Sequence, residues 1–105
     1  MGIPVEGTHE FNDFFKSMDD EDKLYKTIDA ILDRIAETPN MGELIEHKRI
    51  PKSIKKKFPD LDNLLRVKVT QDYRLLYTLL GYPNDKKAIV LMAIPHKEYD
   101  KIFGY

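Results

Sequence analysis

The sequence contains no cysteine and no run of about 18 apolar residues, the length that spans a membrane as a helix. The absence of cysteine excludes disulfides, thiolate metal sites and cysteine nucleophiles, and it favours a reducing compartment. Residues 1–8 lack the basic stretch followed by an apolar stretch that marks a secretory signal. We therefore expect a cytoplasmic protein without a membrane partner.

A second group of absences concerns catalytic and metal sites. The chain has no glycine-rich phosphate loop and no G-x-S-x-G motif. Its three histidines, His9, His47 and His96, are scattered, so we predict no metal site and no cofactor. The acidic run at residues 19–22 suits a helix start, where carboxylates cap N–H groups and face the positive end of the helix dipole.

Acidic and basic residues are separated along the chain, although the net charge is only −1. Residues 1–46 carry 12 Asp and Glu against 4 Lys and Arg, a sum of −8. Residues 47–105 carry 6 against 13, a sum of +7. This split indicates an acidic outer layer and a basic working surface. Because the basic excess continues into predicted strands, it favours a polyanion as partner.

Apolar residues at helical spacing predict an N-terminal helical hairpin. The first helix follows Thr8, a suitable N-cap, and the second follows the acidic run. The second helix ends at Thr38-Pro39, because a residue before proline avoids the α conformation. The two apolar stripes are Phe11, Phe14, Phe15 and Met18, then Leu24, Ile28, Ile31, Leu32 and Ile35.

Residues 40–63 are irregular apart from one short helix. Ile50-Pro51 opens this helix, since proline is favoured at a first helical position, and Ile54 and Phe58 share its apolar side. The densest basic cluster of the chain surrounds it, and we predict that this cluster binds RNA. Its members are Lys48, Arg49, Lys52, Lys55, Lys56 and Lys57, with His47 beside them.

Three strands follow, at residues 65–69, 73–80 and 88–94. The first two alternate along the chain, and the third is a continuous apolar run that suits a strand buried on both faces. Pro95 ends it, and residues 96–105 form a short helix or an ordered extension. A further strand around residues 3–5 is weakly indicated.

Helices that precede antiparallel strands predict the α+β class. We expect one domain over residues 1–105, with an N-terminal helical hairpin packed on a small antiparallel sheet of three to four strands.

Cations of the predicted sheet form the candidate site. Arg66 and Lys68 are two residues apart and share a face, and Arg74 on the next strand joins them if the register permits. Like charges so close on a sheet are destabilising, so an anion such as RNA phosphate would explain the cluster. The alternative, a solvated face with acidic neighbours, fits the spacing equally well.

The segment after the last strand adds His96, Lys97 and Tyr99 near the edge of the sheet. Histidine transfers protons near neutral pH, and tyrosine can stack on a base or orient a hydroxyl. The alternative for His96 is a capping or surface role.

The order of these elements resembles a known family. A helical hairpin is followed by the basic strand, the Tyr73-Arg74-Leu75-Leu76-Tyr77 motif, an apolar strand and His96-Lys97. This pattern resembles the RelE/ParE superfamily of type II toxins over roughly residues 8–105. Details of the chain, including its C-terminal ending, also resemble a largely archaeal branch. The resemblance implies a RelE/ParE-like fold.

RelE-type members of that superfamily cut mRNA in the ribosomal A site with cations that polarise the scissile phosphate. The resemblance implies this role for Arg66, Lys68 and Arg74, with Lys97 or His96 as the later cation. Fixed cations stabilise the charge that develops on a pentavalent phosphate.

The C-terminal aromatic residues depart from the RelE pattern. Where RelE-like enzymes often have a functional tyrosine, this chain has Phe103, with Tyr99 and Tyr105 nearby. A phenyl ring can stack but cannot exchange a proton.

Three functions remain open. The leading one is a RelE-like toxin, a metal-independent and ribosome-dependent mRNA endoribonuclease held inactive by a cognate antitoxin, with ribosome and mRNA as further partners. The second is a non-catalytic or ParE-like, gyrase-directed relative that also binds an antitoxin. The third is a plain RNA-binding module.

Overall fold

The computed structural model describes residues 2–104, which form a five-stranded sheet with helices on both faces. The strands are β1 (Val5–Gly7), β2 (Glu43–Leu44), β3 (Leu65–Lys68), β4 (Tyr73–Leu80) and β5 (Lys87–Pro95). The helices are α1 (His9–Lys16), α2 (Lys23–Glu37), α3 (Lys52–Lys57) and α4 (His96–Phe103). The predicted α+β class is confirmed.

The sheet has five strands, more than the three to four expected, and it is mixed. Its order is β1-β5-β4-β3-β2, with β1 parallel to β5 and all other neighbours antiparallel. The edge strands β1 and β2 have three and two residues. Strands this short are hard to recognise from alternation of polar and apolar residues.

The helical hairpin forms as its caps and apolar stripes predict. Thr8 Oγ1 accepts the N–H of Phe11 at 3.1 Å, and Asp22 Oδ1 accepts the N–H of Leu24 at 2.8 Å. α1 ends at Lys16, so Met18 lies beyond the helix, although it still packs against the core. Together the two helices cover one face of the sheet, which we call the hairpin face.

A second core lies on the opposite face of the sheet, which we call the α4 face. α3 and α4 cover part of it, so the face that carries Arg66 and Lys68 is only partly open to solvent. The pairing of β4 with β5 shifts between Leu76 and Tyr77 of β4, which leaves Leu91 of β5 as an extra residue. Leu91 and Met92 therefore both join this second core.

Residues 40–63 were expected to be irregular apart from one short helix, but their first part is regular. This part consists of two 3-10 turns, Pro39–Met41 and His47–Arg49, on either side of β2. Tyr77 holds its start to the sheet: the phenol donates to Pro39 O at 2.6 Å and accepts the N–H of Gly42 at 3.0 Å. Between residues 2 and 104, no helix is both long and apolar enough to cross a bilayer.

Candidate phosphate-binding site

A concavity of about 470 Å³ lies on the α4 face, between β2, the strands β3 and β4, and the first turns of α4. It brings together five of the six residues that the sequence proposed for catalysis. Its lining consists of Met41, Gly42, Glu43, Arg66, Val67, Lys68, Arg74, His96, Tyr99 and Asp100.

Arg66 is the most firmly held cation of this pocket. Its Nε and Nη2 donate to the same oxygen of Glu43, at 3.1 and 2.8 Å. Its Nη1 donates to the hydroxyl of Tyr99, and its guanidinium lies 5.8 Å from the centre of the Tyr99 ring. The hydrogen bonds to Tyr99 and Glu43 raise the pKa of Arg66 and outweigh burial, which lowers it. Arg66 is therefore a permanent, oriented positive charge.

Lys68 and Arg74 face each other across β3 and β4, as direct neighbours in the antiparallel register. Arg74 Nη1 donates to the carbonyl oxygens of Thr70 and Tyr73, at 2.9 and 3.0 Å, which fixes it over the β3–β4 turn. Lys68 is exposed, and no ion pair involves it within residues 2–104. The pocket thus combines two anchored guanidinium groups and one exposed ammonium group.

His96 is the first residue of α4, and its Nε2 lies 3.1 Å from Asp100 Oδ2, one helical turn further on. Its backbone N–H donates to Asp72 O at 2.6 Å, which ties the helix start to the β3–β4 turn. The Nδ1 atom is buried and has no hydrogen-bond partner among the described residues. Asp100 therefore orients an imidazole at the edge of the cationic pocket.

Tyr99 forms the floor between the helix and the sheet. It is buried in the α4-face core and stacks on Phe103 with ring centres 4.3 Å apart. Phe103, Arg49, Arg66 and Tyr99 also line a smaller adjoining pocket of about 140 Å³. The two pockets share Glu43, Arg66 and Tyr99, so they lie side by side, and we call them together the trough.

Lys97 and most of the basic cluster lie outside the pocket. Lys97 is exposed on the side of α4 that turns away from the lining residues. Lys48 pairs with Glu46 at 3.6 Å, and Lys57 pairs with Glu10 of α1. Of the cluster Lys48, Arg49, Lys52, Lys55, Lys56 and Lys57, Arg49 alone lines the adjoining pocket. Tyr105, the other C-terminal tyrosine near Phe103 in the sequence, lies outside the described residues.

Sequence reasoning missed the two carboxylates of the pocket, Glu43 and Asp100. The spacing of His96 and Asp100, four apart on a predicted helical tail, was a signal that would have found the second. Glu43 lies 23 residues before Arg66, on a two-residue strand, and no local pattern connects them. Within residues 2–104, no group of three or more His, Cys, Asp or Glu side chains is placed to hold a metal ion.

The family model that describes the ParE toxin of the type II toxin–antitoxin system parDE matches residues 5–100. The chain belongs to this family. The comparison with curated proteins gives no match. The match to the ParE-toxin family model, together with the two structures described next, confirms the predicted membership of the RelE/ParE toxin superfamily.

Two solved structures share the fold of this toxin-family chain. One is the archaeal RelE–RelB complex from Pyrococcus horikoshii OT3, with 17% identity, coverage of 90% of this chain and 96% of that one, and a TM-score of 0.60. The other is a double mutant of the E. coli toxin RelE in the free state, with 10% identity, coverage of 99% and 93%, and a TM-score of 0.60. At these identities the likeness shows the fold alone.

Proposed function

We propose that this chain is a RelE-like toxin, a metal-independent endoribonuclease that cuts mRNA on the ribosome and is silenced by an antitoxin. The observation that carries the proposal is the pocket itself. Arg66, Lys68 and Arg74, from two strands, meet His96 and Tyr99, from the helix after the sheet, in one solvent-accessible concavity.

The charges of the pocket suit a phosphodiester. Three permanent cations face two carboxylates, Glu43 and Asp100, so the pocket keeps a positive excess. A fixed guanidinium binds two phosphate oxygens through a fork of parallel N–H donors. The same cations stabilise the extra negative charge of the transition state, without a metal.

The reaction is an in-line transfer within the RNA strand. The 2′-oxygen forms a bond to phosphorus while the bond to the 5′-oxygen breaks, and the 2′-hydroxyl proton leaves as the 5′-oxygen gains one. His96, oriented by Asp100, is the proton-transfer group of this pocket, because imidazole exchanges protons near neutral pH. Tyr99 positions Arg66 through its hydroxyl.

An antitoxin is the expected partner. One solved structure that shares the fold is a RelE–RelB complex, and the family model is that of a toxin from a type II toxin–antitoxin system. An antitoxin segment with carboxylates would cover the cationic trough by charge complementarity.

A gyrase-directed toxin is the second candidate. The matching family model is named for ParE toxins, and Phe103 in the trough offers a ring without a proton to exchange. The pocket would then serve antitoxin binding alone.

The deciding experiment is induction of the chain in a bacterial host, with mapping of mRNA ends and measurement of DNA supercoiling. We expect growth arrest and new mRNA ends at ribosome-occupied codons, and a loss of cleavage of about 100-fold for Arg66→Ala. Lys101→Ala removes an exposed cation of α4 that does not line the pocket; it is the matched control and should cleave normally. Growth arrest with intact mRNA and altered DNA supercoiling would support the gyrase-directed toxin instead. Normal growth with intact mRNA would overturn both proposed functions.

A further inference from the structure

Among the three cations of the pocket, only Arg66 is paired with a carboxylate within residues 2–104. Glu43 Oε2 accepts from Nε at 3.1 Å and from Nη2 at 2.8 Å. These two donors form one edge of the guanidinium, and that edge is a preferred binding position for a phosphate. A bound RNA phosphate and the Glu43 carboxylate would therefore compete for the same donors.

The two partners of this ion pair differ in how firmly they are held. The Arg66 side chain is 29% exposed and is fixed from behind by the hydroxyl and ring of Tyr99. The Glu43 side chain is 67% exposed, and no other ion pair involves it among the described residues. Glu43 can therefore leave into solvent without losing buried contacts, while Arg66 stays in place.

The backbone explains why Glu43 lies opposite Arg66. Glu43 and Arg66 are direct cross-strand partners in the β2–β3 ladder. Gly42 lies so close to the sheet that an added Cβ would sit 2.8 Å from Tyr77 Cε1 and 2.9 Å from Arg66 O. The phenol of Tyr77 binds the Gly42 N–H and the Pro39 carbonyl. The segment is thus anchored at Gly42, directly before the side chain that reaches Arg66.

We propose that Glu43 is a built-in competitor of the RNA phosphate: its carboxylate occupies the phosphate-binding edge of Arg66 and has to be displaced before an anion binds there. This inference rests on the proposed function for its ligand, RNA phosphate. The competition between the Glu43 carboxylate and an anion at Arg66 can be tested without ribosomes. Occupation of Arg66 by Glu43 weakens binding of isolated phosphates. An RNA strand that also engages Lys68 and Arg74 gains enough contacts to displace it.

Glu6 provides a matched control for Glu43. It lies on the opposite edge strand β1 and pairs with Lys87 at 2.8 Å, with side-chain exposures of 57% and 36%. Replacing Glu6 by glutamine removes the same charge from the chain and breaks an ion pair of the same length. It leaves the pocket unchanged.

The experiment is an NMR titration with inorganic phosphate that follows the Arg66 Nε–H resonance, assigned by Arg66→Lys. We expect Glu43→Gln to tighten phosphate binding at Arg66 by about threefold to tenfold at low salt, less so as salt rises, and Glu6→Gln to leave it within about twofold. Glu43→Ala should behave as Glu43→Gln, with far-UV circular dichroism to check folding. An unchanged or weaker affinity in folded Glu43 variants, or no phosphate response at Arg66 in any of them, would overturn the competition.

The same proteins separate this inference from the proposed function. Tighter phosphate binding in Glu43→Gln without mRNA cleavage by the wild type would support the competition and reject the ribonuclease. If mRNA cleavage depends on Arg66 but the phosphate affinity is the same in the wild type and in the Glu43 variants, the ribonuclease is supported and the competition is rejected.

Discussion

The two faces of the sheet differ in how completely they are covered. On the hairpin face, α1 and α2 bury an extended cluster that includes Phe11, Ile28 and Ile35. On the α4 face, two short helices cover a smaller core and leave the trough around Arg66 accessible. One face therefore holds the larger buried core, and the other holds the smaller core and the proposed binding site.

The largest effect is expected on the hairpin face. Ile28 is fully buried, and Ile28→Ala should lower the free energy of unfolding by about 2–5 kcal/mol, because it removes apolar contacts and leaves a cavity. Phosphate binding at Arg66 should be unchanged in the folded fraction. Urea denaturation measures the free energy of unfolding, and NMR titration measures phosphate binding.

Ile102→Ala is the matched comparison for that variant. Ile102 is a half-buried isoleucine of α4, so the same truncation there should cost less stability. If Ile102→Ala were as destabilising as Ile28→Ala, the proposed difference between the faces would be wrong.

A polar contact at the end of β4 gives a second, smaller effect. The Asn63 amide donates to Leu79 O at 2.8 Å and accepts the Leu79 N–H at 2.8 Å, so it takes the place of a strand partner for β4. Asn63→Ala leaves both backbone groups without these bonds and should cost about 1–3 kcal/mol in urea denaturation. Asn84→Ala, at an exposed turn residue, should hardly change the free energy of unfolding. Equal losses of stability in the two variants would contradict the role of Asn63 as a partner of the β4 backbone.

The smallest effect concerns Tyr77, whose ring is buried on the hairpin face while its hydroxyl holds the segment before β2. Burial raises the pKa of Tyr77. The N–H that Gly42 donates to the phenol lowers it, but by less. A raised pKa means that the folded chain keeps the phenol proton where the unfolded chain loses it. The resulting stability is complete below about pH 10, the unfolded value, and is lost as the pH rises through the folded value.

Tyr77→Phe tests this linkage. At neutral pH the variant should lose about 1 kcal/mol, because two hydrogen bonds are removed. As the pH rises above about 10, the unfolded value, its stability should fall less steeply than that of the wild type. Urea denaturation midpoints at several pH values measure the loss at neutral pH and the change of stability with pH. If the stability of the variant and of the wild type fell equally steeply at alkaline pH, Tyr77 would not contribute to that fall.

The elements of the fold were largely readable from the chain. Thr8 and Asp22 cap the two helices as their side chains predict, and the strands at residues 65–68, 73–80 and 87–95 follow the alternation or the apolar run. These signals are local, because a cap or a period depends on residues within a few positions of one another. The edge strands β1 and β2 were too short to carry such a signal.

The sequence alone therefore determined the class of fold, the main helices and strands, and most of the cations that line the pocket. Only the tertiary structure decided what those cations meet: Glu43 opposite Arg66, Tyr99 beneath it, and Lys97 turned away from the pocket. The physical reason is distance along the chain. Contacts between residues 23 and 33 positions apart depend on strand register and on how α4 packs, which no local pattern encodes.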